Sequence, residues 1–305
     1  MGKADTYFNG KNVIITGGSS GIGKATAERL SEEGANVFVV ARDQRKLASA
    51  LEDIKAEGGY PDQQNGAFSA DVTEYQRIED AVTAVEEISG ACDILINCAG
   101  IVYPGYFEEL PLSAFREQMD INYFGTLHTV RAVLPQMMTR RDGHIVNVAS
   151  MGGVVGGFGY TAYAASKFAV FGFTEALRAE MKPHGIGVSL VLPPDTDTPQ
   201  LRQERKLQPL ELKMITGAVK PKKFKRLSER IAYWLTRWLL TDDGNPMSPD
   251  RVAEAIVRGI RRGDFLIFPD ATLKLAYRLR GFVIPLGNWA QDQLAVVARR
   301  ERGVR

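Results

Sequence analysis

The segment Asn12-Val13-Ile14-Ile15-Thr16-Gly17-Gly18-Ser19-Ser20-Gly21-Ile22-Gly23 decides the fold. A short run rich in β-branched residues passes straight into a glycine loop, and an amphipathic stretch from Ala25 to Glu33 follows at once. A strand that empties through glycines into a helix lets backbone amides and the positive helix N-terminus approach a pyrophosphate. In isolation such a loop is only a glycine-rich turn. Set between a strand and a helix, it predicts a dinucleotide site.

The alternation continues outward from this opening. Strand candidates recur at Asn36–Ala41, Gly66–Ala70, Asp93–Asn97, Ile145–Ser150 and Gly187–Leu192, with helical segments between them and a seventh candidate at Phe265–Phe268. This pattern predicts an α/β fold: a doubly wound, Rossmann-type parallel sheet of about seven strands, right-handed crossovers, and ligands at the C-terminal strand edge. The chain divides into a catalytic domain (1–199 and 249–268), a basic amphipathic lid or insertion (200–248) and a helical C-terminal extension (269–305). Ser248-Pro249-Asp250 predicts a capped helix start within the scaffold.

Composition removes several function classes. A formal charge of +2 over 305 residues makes no case for nucleic-acid binding. Cys92 and Cys98 lie in or beside an apolar run, which predicts reduced core thiols and a reducing, cytoplasmic compartment. His128, His144 and His184 show no metal-ligand spacing, so no metal is expected. The N-terminal residues have no signal-peptide h-region, and the longest apolar candidate, Phe265–Trp289, is broken by Asp270, Lys274, Arg278 and Arg280.

Two further features point to chemistry. At the end of the second strand, Ala41-Arg42 places a cation where a ribose 2′-phosphate would lie, with Lys46 one turn on and Ser19 and Ser20 nearby, favouring NADP(H). Tyr163 and Lys167 stand at i and i+4, hence on one helix face, where the ammonium is expected to lower the phenol pKa for acid–base work. Ser150, at a strand end, is placed to hydrogen-bond a carbonyl oxygen as it gains charge.

The TGxxxGxG spacing, with Asp71-Val72, Asn97-Cys98-Ala99-Gly100, Asn122, Ser150, Tyr163 and Lys167, resembles the short-chain dehydrogenase/reductase family over about the first 200 residues. The resemblance implies a catalytic set of Asn122, Ser150, Tyr163 and Lys167, with Asn122 supporting a water relay to the lysine. It also implies cofactor contacts from Gly17, Ser19, Ser20, Gly21, Ile22, Gly23, Arg42, Lys46, Asp71, Val72, Asn97, Ala99, Gly100, Tyr163, Lys167 and Thr198. The expected chemistry is hydride transfer between NADP(H) and a carbonyl, with Tyr163 as proton donor.

The loop Pro193-Pro194-Asp195-Thr196-Asp197-Thr198-Pro199 departs from the family's usual Pro-Gly at its second position. It is similar to that of the 3-ketodihydrosphingosine reductase subgroup, which implies reduction of a long-chain amino ketone to sphinganine. Asp195 or Asp197 would then face the substrate ammonium, or both simply cap the turn. Residues 220–240 carry seven Lys or Arg against Glu229 alone, with Leu227, Ile231, Trp234, Leu235, Trp238 and Leu239 forming one helical stripe. That helix reads equally as a lid packing on the domain or as a peripheral membrane contact. Residues 271–301 would complete a hydrophobic tunnel, contact membrane or form an oligomer face, and the family resemblance implies a homo-oligomer. Competing functions are reduction of another apolar carbonyl (steroid, retinoid or 3-oxoacyl) and NADP(H)-dependent redox sensing without turnover.

Overall fold

Alternate residues of the central strand serve opposite layers. Val13 and Ile15 of β1 (Asn12–Thr16) join one buried cluster, whereas Ile14 between them joins another, as the period-2 geometry of a strand requires. The computed structural model describes residues 7–215, 224–240 and 246–301. Around β1 lie β2 (Asn36–Ala41), β3 (Gly66–Ser69), β4 (Ile94–Asn97), β5 (His144–Val148), β6 (Gly187–Val191) and β7 (Leu266–Ile267). They form one seven-stranded sheet in the order β3-β2-β1-β4-β5-β6-β7, every pair parallel.

Helices cover both faces, so the strands read as unbroken apolar runs. On the first face, β-strand residues Val37, Val39, Ile94 and Val146 pack with helices α1 (Gly21–Glu32), α2 (Gln44–Glu57) and α10 (Pro249–Arg262), through Leu30, Leu47, Ile54, Val252 and Ile256. On the second, Phe38, Val40, Leu95 and Ile145 meet α3 (Tyr75–Ser89), α5 (Gly125–Arg140) and α6 (Thr161–Met181), through Ile78, Val85, Val133, Met137 and Leu177. The strand order reverses between β1 and β4. That switch point opens a crevice beyond the C-terminal strand ends, where a ligand is held by loops and not by the packed core.

The sheet matches the expected doubly wound fold, and the strand boundaries differ by a residue or two for local reasons. Asp93 stands just outside β4 because its carboxylate accepts a bond from the Asn12 backbone N (2.9 Å) and pairs with Arg140 (2.7 Å). β5 starts a residue earlier than its apolar run because His144 turns inward, its Nε2 2.8 Å from Ser189 Oγ. The Ser248 hydroxyl caps α10 by accepting from Arg251 N at 3.3 Å, in line with the Ser-Pro-Asp start.

Beyond the sheet lie α4 (Leu112–Met119), α7 (Pro199–Leu207), α8 (Leu210–Ile215), α9 (Leu227–Leu240), α11 (Ala271–Arg278) and α12 (Arg280–Glu301). Met214, Ala232, Tyr233, Ala290, Leu294 and Ala298 form a separate apolar cluster joining α8, α9 and α12. The buried face of α9 is therefore Ala232 and Tyr233 with Leu235 packed beside them, and three residues of the expected stripe point outward. Leu227, Ile231 and Trp234 are 69%, 51% and 62% exposed, and Leu235 is half-buried. Residues 220–223 and the side chains of Arg237, Trp238 and Leu239 lie outside the described residues. Glu229, the lone acid of that segment, is buried and accepts bonds from Lys225 N (2.6 Å), Arg226 N (3.1 Å) and Arg300 Nη1 (2.6 Å), so it caps α9 and ties it to α12.

Candidate active site

The glycine loop forms one wall of a cavity of about 1070 Å³ at the switch point. Gly17 has a φ of +68°, and a Cβ there would meet the backbone N of Ala99 at 2.7 Å. A Cβ on Gly23 would meet Gly17 O at 2.5 Å. Both positions need glycine on steric grounds, and together they bring β1, the start of α1 and the end of β4 into backbone contact. Ser19, Ser20, Gly21 and Ile22 continue the wall, and Ser20, at the α1 N-cap, makes no side-chain cap bond. A backbone cradle of this kind at a helix N-terminus fits a pyrophosphate.

Arg42 and Lys46 line the same cavity. Arg42 is largely exposed and stands 3.5 Å from Asp71 Oδ2. Its neighbour Asp43 also lines the cavity, yet the Asp43 carboxylate is engaged as the N-cap of α2, accepting from Arg45 N (3.0 Å) and Lys46 N (3.2 Å). Arg42 is thus the charge left to meet a 2′-substituent. Asp71 accepts from Thr73 N (2.9 Å) and Thr73 Oγ1 (2.8 Å). Burial works to raise its pKa, but those bonds and the Arg42 charge prevail and hold the carboxyl below its usual range.

Two expected site residues sit behind the wall. Asn97 is buried, accepting from Thr129 Oγ1 (2.6 Å) and donating to Asn147 Oδ1 (2.9 Å), and does not line the cavity. It braces β4 against β5. Asn122 lies in a single π-helical turn, Asp120–Phe124, between α4 and α5. Its amide donates to Ser166 Oγ (2.8 Å) and Ile101 O (3.0 Å), and its Oδ1 accepts from Ile101 N (2.8 Å). A side chain so fully committed positions the α6 face and the Gly100 loop. The remaining expected residues, Val72, Ala99, Gly100, Ser150, Tyr163, Lys167 and Thr198, do line the cavity.

α6 presents Tyr163 and Lys167 on one face, as their spacing requires. The Ser150 hydroxyl, at the end of β5, accepts from Gly152 N (3.0 Å) and hydrogen-bonds the Tyr163 phenol. Lys167 is buried, and its Nζ donates to Val148 O at 3.0 Å while standing 5.9 Å from the Tyr163 ring centroid. Contrary to expectation, the lysine does not govern the phenol. Burial raises the Tyr163 pKa, with the Ser150 bond opposing and the charges of Glu204 and Asp195 adding to the rise. Burial likewise lowers the Lys167 pKa to about 8. The phenol therefore keeps its proton near neutrality, the state a proton donor needs.

Residues 11–209 match the short chain dehydrogenase family. The chain belongs to that family. It is 43% identical over 210 residues to a 3-dehydrosphinganine reductase of Danio rerio, a match covering 68% of this chain and 63% of that protein. A 3-ketodihydrosphingosine reductase of Dictyostelium discoideum is 36% identical over 289 residues, covering 90% of this chain and 79% of the relative. Among solved structures, a single-substitution variant of actinorhodin polyketide ketoreductase with NADPH superimposes with a TM-score of 0.70 at 29% identity, covering 88% of this chain and 97% of that one.

This short-chain dehydrogenase carries three further cavity residues that sequence reasoning passed over: Tyr160, Glu204 and Gln208. The Tyr160 hydroxyl donates to Glu204 Oε1 (2.5 Å), and Gln208 Nε2 donates to the Tyr160 oxygen (2.6 Å) and to Glu204 Oε1 (3.3 Å). Their signal was available: Glu204 and Gln208 are an i, i+4 pair on the helix that Thr198 caps, accepting from Leu201 N at 3.2 Å. Treating all of 200–248 as one basic amphipathic insertion hid it. Of the two loop aspartates, Asp197 is exposed and paired with Arg202 (3.0 Å), whereas Asp195 lines the cavity.

The buried lysine sets a stability prediction. Its ordinary pKa of 10.5 falls to about 8 on folding, so the folded protein holds this proton less tightly than the unfolded chain. The resulting cost to stability is full below pH 8 and fades as pH rises towards 10.5. Lys167→Met is expected to stabilise the fold at pH 7 by up to about 3 kcal/mol, less the lost Val148 bond, with the gain shrinking at alkaline pH. Thermal melts from pH 6.5 to about 10 read this directly. A variant less stable than wild type at pH 7 and unchanged by pH contradicts it.

Proposed function

We propose that this chain is an NADPH-dependent reductase that converts the ketone of 3-ketodihydrosphingosine to the alcohol of sphinganine. The observation that carries the reading is the meeting of Ser150, Tyr163 and Lys167 in one cavity. One arm of that cavity is the glycine cradle with Arg42, and its other arm is apolar, with Leu273, Ala276, Val283 and Ile284 from α11 and α12. The bound nicotinamide supplies the hydride. Tyr163 gives its proton to the carbonyl oxygen, so ketone plus hydride plus proton balances as a secondary alcohol. Ser150 hydrogen-bonds that oxygen as charge develops, and Lys167 lies one turn behind to help return a proton to the phenol. The apolar arm suits an alkyl chain, and the substrate named for the relatives has one. That arm distinguishes this reading from a cofactor-binding sensor, which would have no use for it.

The test is NADPH oxidation by the purified chain with 3-ketodihydrosphingosine beside steroid, retinal and 3-oxoacyl carbonyls. Turnover is expected to favour the amino ketone, and Tyr163→Phe is expected to reduce it by at least about a thousandfold while leaving NADPH affinity within about threefold. Preferred turnover of another carbonyl rejects the substrate, and no turnover with any rejects the enzyme.

Cofactor choice rests on Arg42, the one cavity cation placed beside Asp71 at the end of β2. Loss of a charge-assisted bond to a 2′-phosphate costs about 1.5–3 kcal/mol. Arg42→Ala is accordingly expected to weaken NADPH binding by about tenfold to a hundredfold with little change for NADH. Equal losses for both cofactors in fluorescence titrations contradict the assignment.

Peripheral membrane contact is the reading we favour for the outward face of α9. Leu227, Ile231 and Trp234 are exposed beside Lys225, Arg226 and Arg230, which pairs an apolar stripe and a headgroup-depth tryptophan with charges suited to anionic lipid. Nearby α12 exposes Phe282 at 82%. Among the described residues no helix is long and apolar enough to cross a membrane. The two free cysteines fit a reducing compartment, hence the cytoplasmic membrane face. Self-association is read from the family resemblance, with exposed Phe124 and Phe168 on the long-helix side of the sheet as candidate contacts. In vesicle sedimentation the chain is expected to bind phosphatidylglycerol-containing vesicles more than pure phosphatidylcholine, and Trp234→Glu to weaken it. Binding to neither removes the reading.

A further inference from the structure

Two carboxylates share the cavity of the proton donor. Glu204 and Asp195 both line the cavity that holds Tyr163, and both are close enough for their charge to raise the phenol's pKa. Negative charge beside a group that must pass through a phenolate opposes the chemistry, and the Arg205 charge offsets it only in part. Such an arrangement persists where a cationic ligand offsets it.

The detailed bonding shows where that ligand would go. The Glu204 bonds from Tyr160 and Gln208 both arrive at Oε1, leaving Oε2 for a ligand. Among the described residues, Asp195 has no side-chain hydrogen-bond or ion-pair partner. Its side chain is exposed to the cleft, and desolvation raises its pKa with the Arg205 charge opposing. Its backbone is fixed instead, the carbonyl accepting from Met247 N at 2.9 Å. Pro194 precedes it and restricts the loop. Tyr160 stands edge-on to Tyr163 with ring centroids 6.3 Å apart, so the carboxylate bound to Tyr160 is held at a set offset from the proton donor.

We propose that Glu204 and Asp195 form an ammonium subsite beside Tyr163, which selects long-chain ketones bearing a protonated amine on the carbon next to the carbonyl. The inference rests on the ketone-reductase reading and adds the chemistry of selection. In an α-amino ketone the nitrogen is two bonds from the reacting carbon, about 2.5 Å away. An ammonium in the subsite therefore leaves the carbonyl against Ser150 and Tyr163, and the alkyl chain runs on towards α11 and α12. The cation also offsets the carboxylate charge that burdens the phenol.

The groups facing Glu204 are Tyr160 and Tyr163 from α6, Asp195 from the loop after β6, and Arg205 and Gln208 from its own helix and the following turn, while Lys213 of α8 lines the same cavity. Arg205 follows Glu204 directly and so projects about a third of a turn away. Burial is the main reason the Glu204 carboxyl is raised to about 7, with Asp195 adding to the rise and the Tyr160 and Gln208 bonds and Arg205 opposing. Below that pH the carboxyl gains a proton and loses its hold on a cation.

The experiment compares kcat/KM for 3-ketodihydrosphingosine and its N-acetyl derivative, in wild type, Glu204→Gln and Asp195→Asn. Wild type is expected to prefer the ammonium substrate by about tenfold to a hundredfold. Each variant is expected to raise KM for it by a similar factor, to leave kcat within about threefold, and to leave the neutral ketone's kcat/KM unchanged or higher. Glu204→Gln keeps an oxygen for Tyr160, so the cleft stays intact, and Asp197→Asn, on the exposed pair with Arg202, is expected to change nothing. In wild type alone, KM for the ammonium substrate is expected to rise as pH falls from about 8 to 6 while that of the neutral ketone stays flat. This arm keeps the test decisive should a variant misfold. Reduction of both ketones with no preference, or variants retaining full preference, overturns the subsite and leaves the reductase reading standing. Failure to reduce any long-chain amino ketone, with turnover of other carbonyls, overturns both.

Discussion

The structure depends on one close approach of backbone to backbone, at the point where the chain leaves β1. Gly17 lies so near the amide of Ala99, and Gly23 so near the carbonyl of Gly17, that no side chain fits at either place. This contact joins the loop after β1 to the loop after β4, the two strands between which the sheet order reverses. With it in place, the amides at the start of α1 face the same crevice as the ends of β4, β5 and β6. A methyl group at either glycine would part the two loops and open the cradle before any catalytic residue was touched. Sheet, cradle and reacting centre are thus coupled by contact distance rather than by bond energy.

Inside that frame the site is electrostatically uneasy. Lys167 is buried with a single backbone carbonyl as acceptor, and Tyr163 is raised by burial and by two carboxylates. Packing alone would favour neither group in its charged form. The protein holds them through neutral braces: Asn122 fastens the Ile101 backbone to Ser166, one residue before the lysine, and Asn97 links β4 to Thr129 and Asn147. Asn97, expected as a cofactor contact, and Asn122, expected to support a proton relay, both have their side-chain amides committed to bonds within the protein.

Legibility in the sequence followed how local each signal was. The sheet could be read because each strand is a contiguous apolar run punctuated by turns, and β1, buried on both faces, admits no other interpretation. Tyr163 and Lys167 could be read because helical geometry alone puts i and i+4 together. The role of Asn97 could not, since it depends on partners 32 and 50 residues away. The two alternatives for α9 could not be separated from the sequence. Its longest apolar stripe was expected to face inward if the helix were a lid, but the buried side is Ala232 and Tyr233, the residues that fit against Ala290 and Leu294 of α12. Small and flat residues won the interior because the partner helix is close, and the larger ones were left outside. Amphipathic periodicity identifies a face without saying which medium receives it.

The C-terminal helices bring an apolar wall to the cavity that also holds the glycine cradle. α12 reaches the site twice: residues Val283 and Ile284 line the apolar arm, and Gln291 Oε1 accepts from Phe158 N at 2.8 Å, fixing the loop that precedes Tyr160 and Tyr163. The same helix is tied to α9 by Arg300 and Glu229, and α9 carries the exposed stripe. The exposed stripe and the apolar cavity wall are therefore carried by one small packed unit. The wall that α11 and α12 supply and the carboxylates Glu204 and Asp195, which share the cavity with Tyr163, give that one space an apolar lining and a charged one.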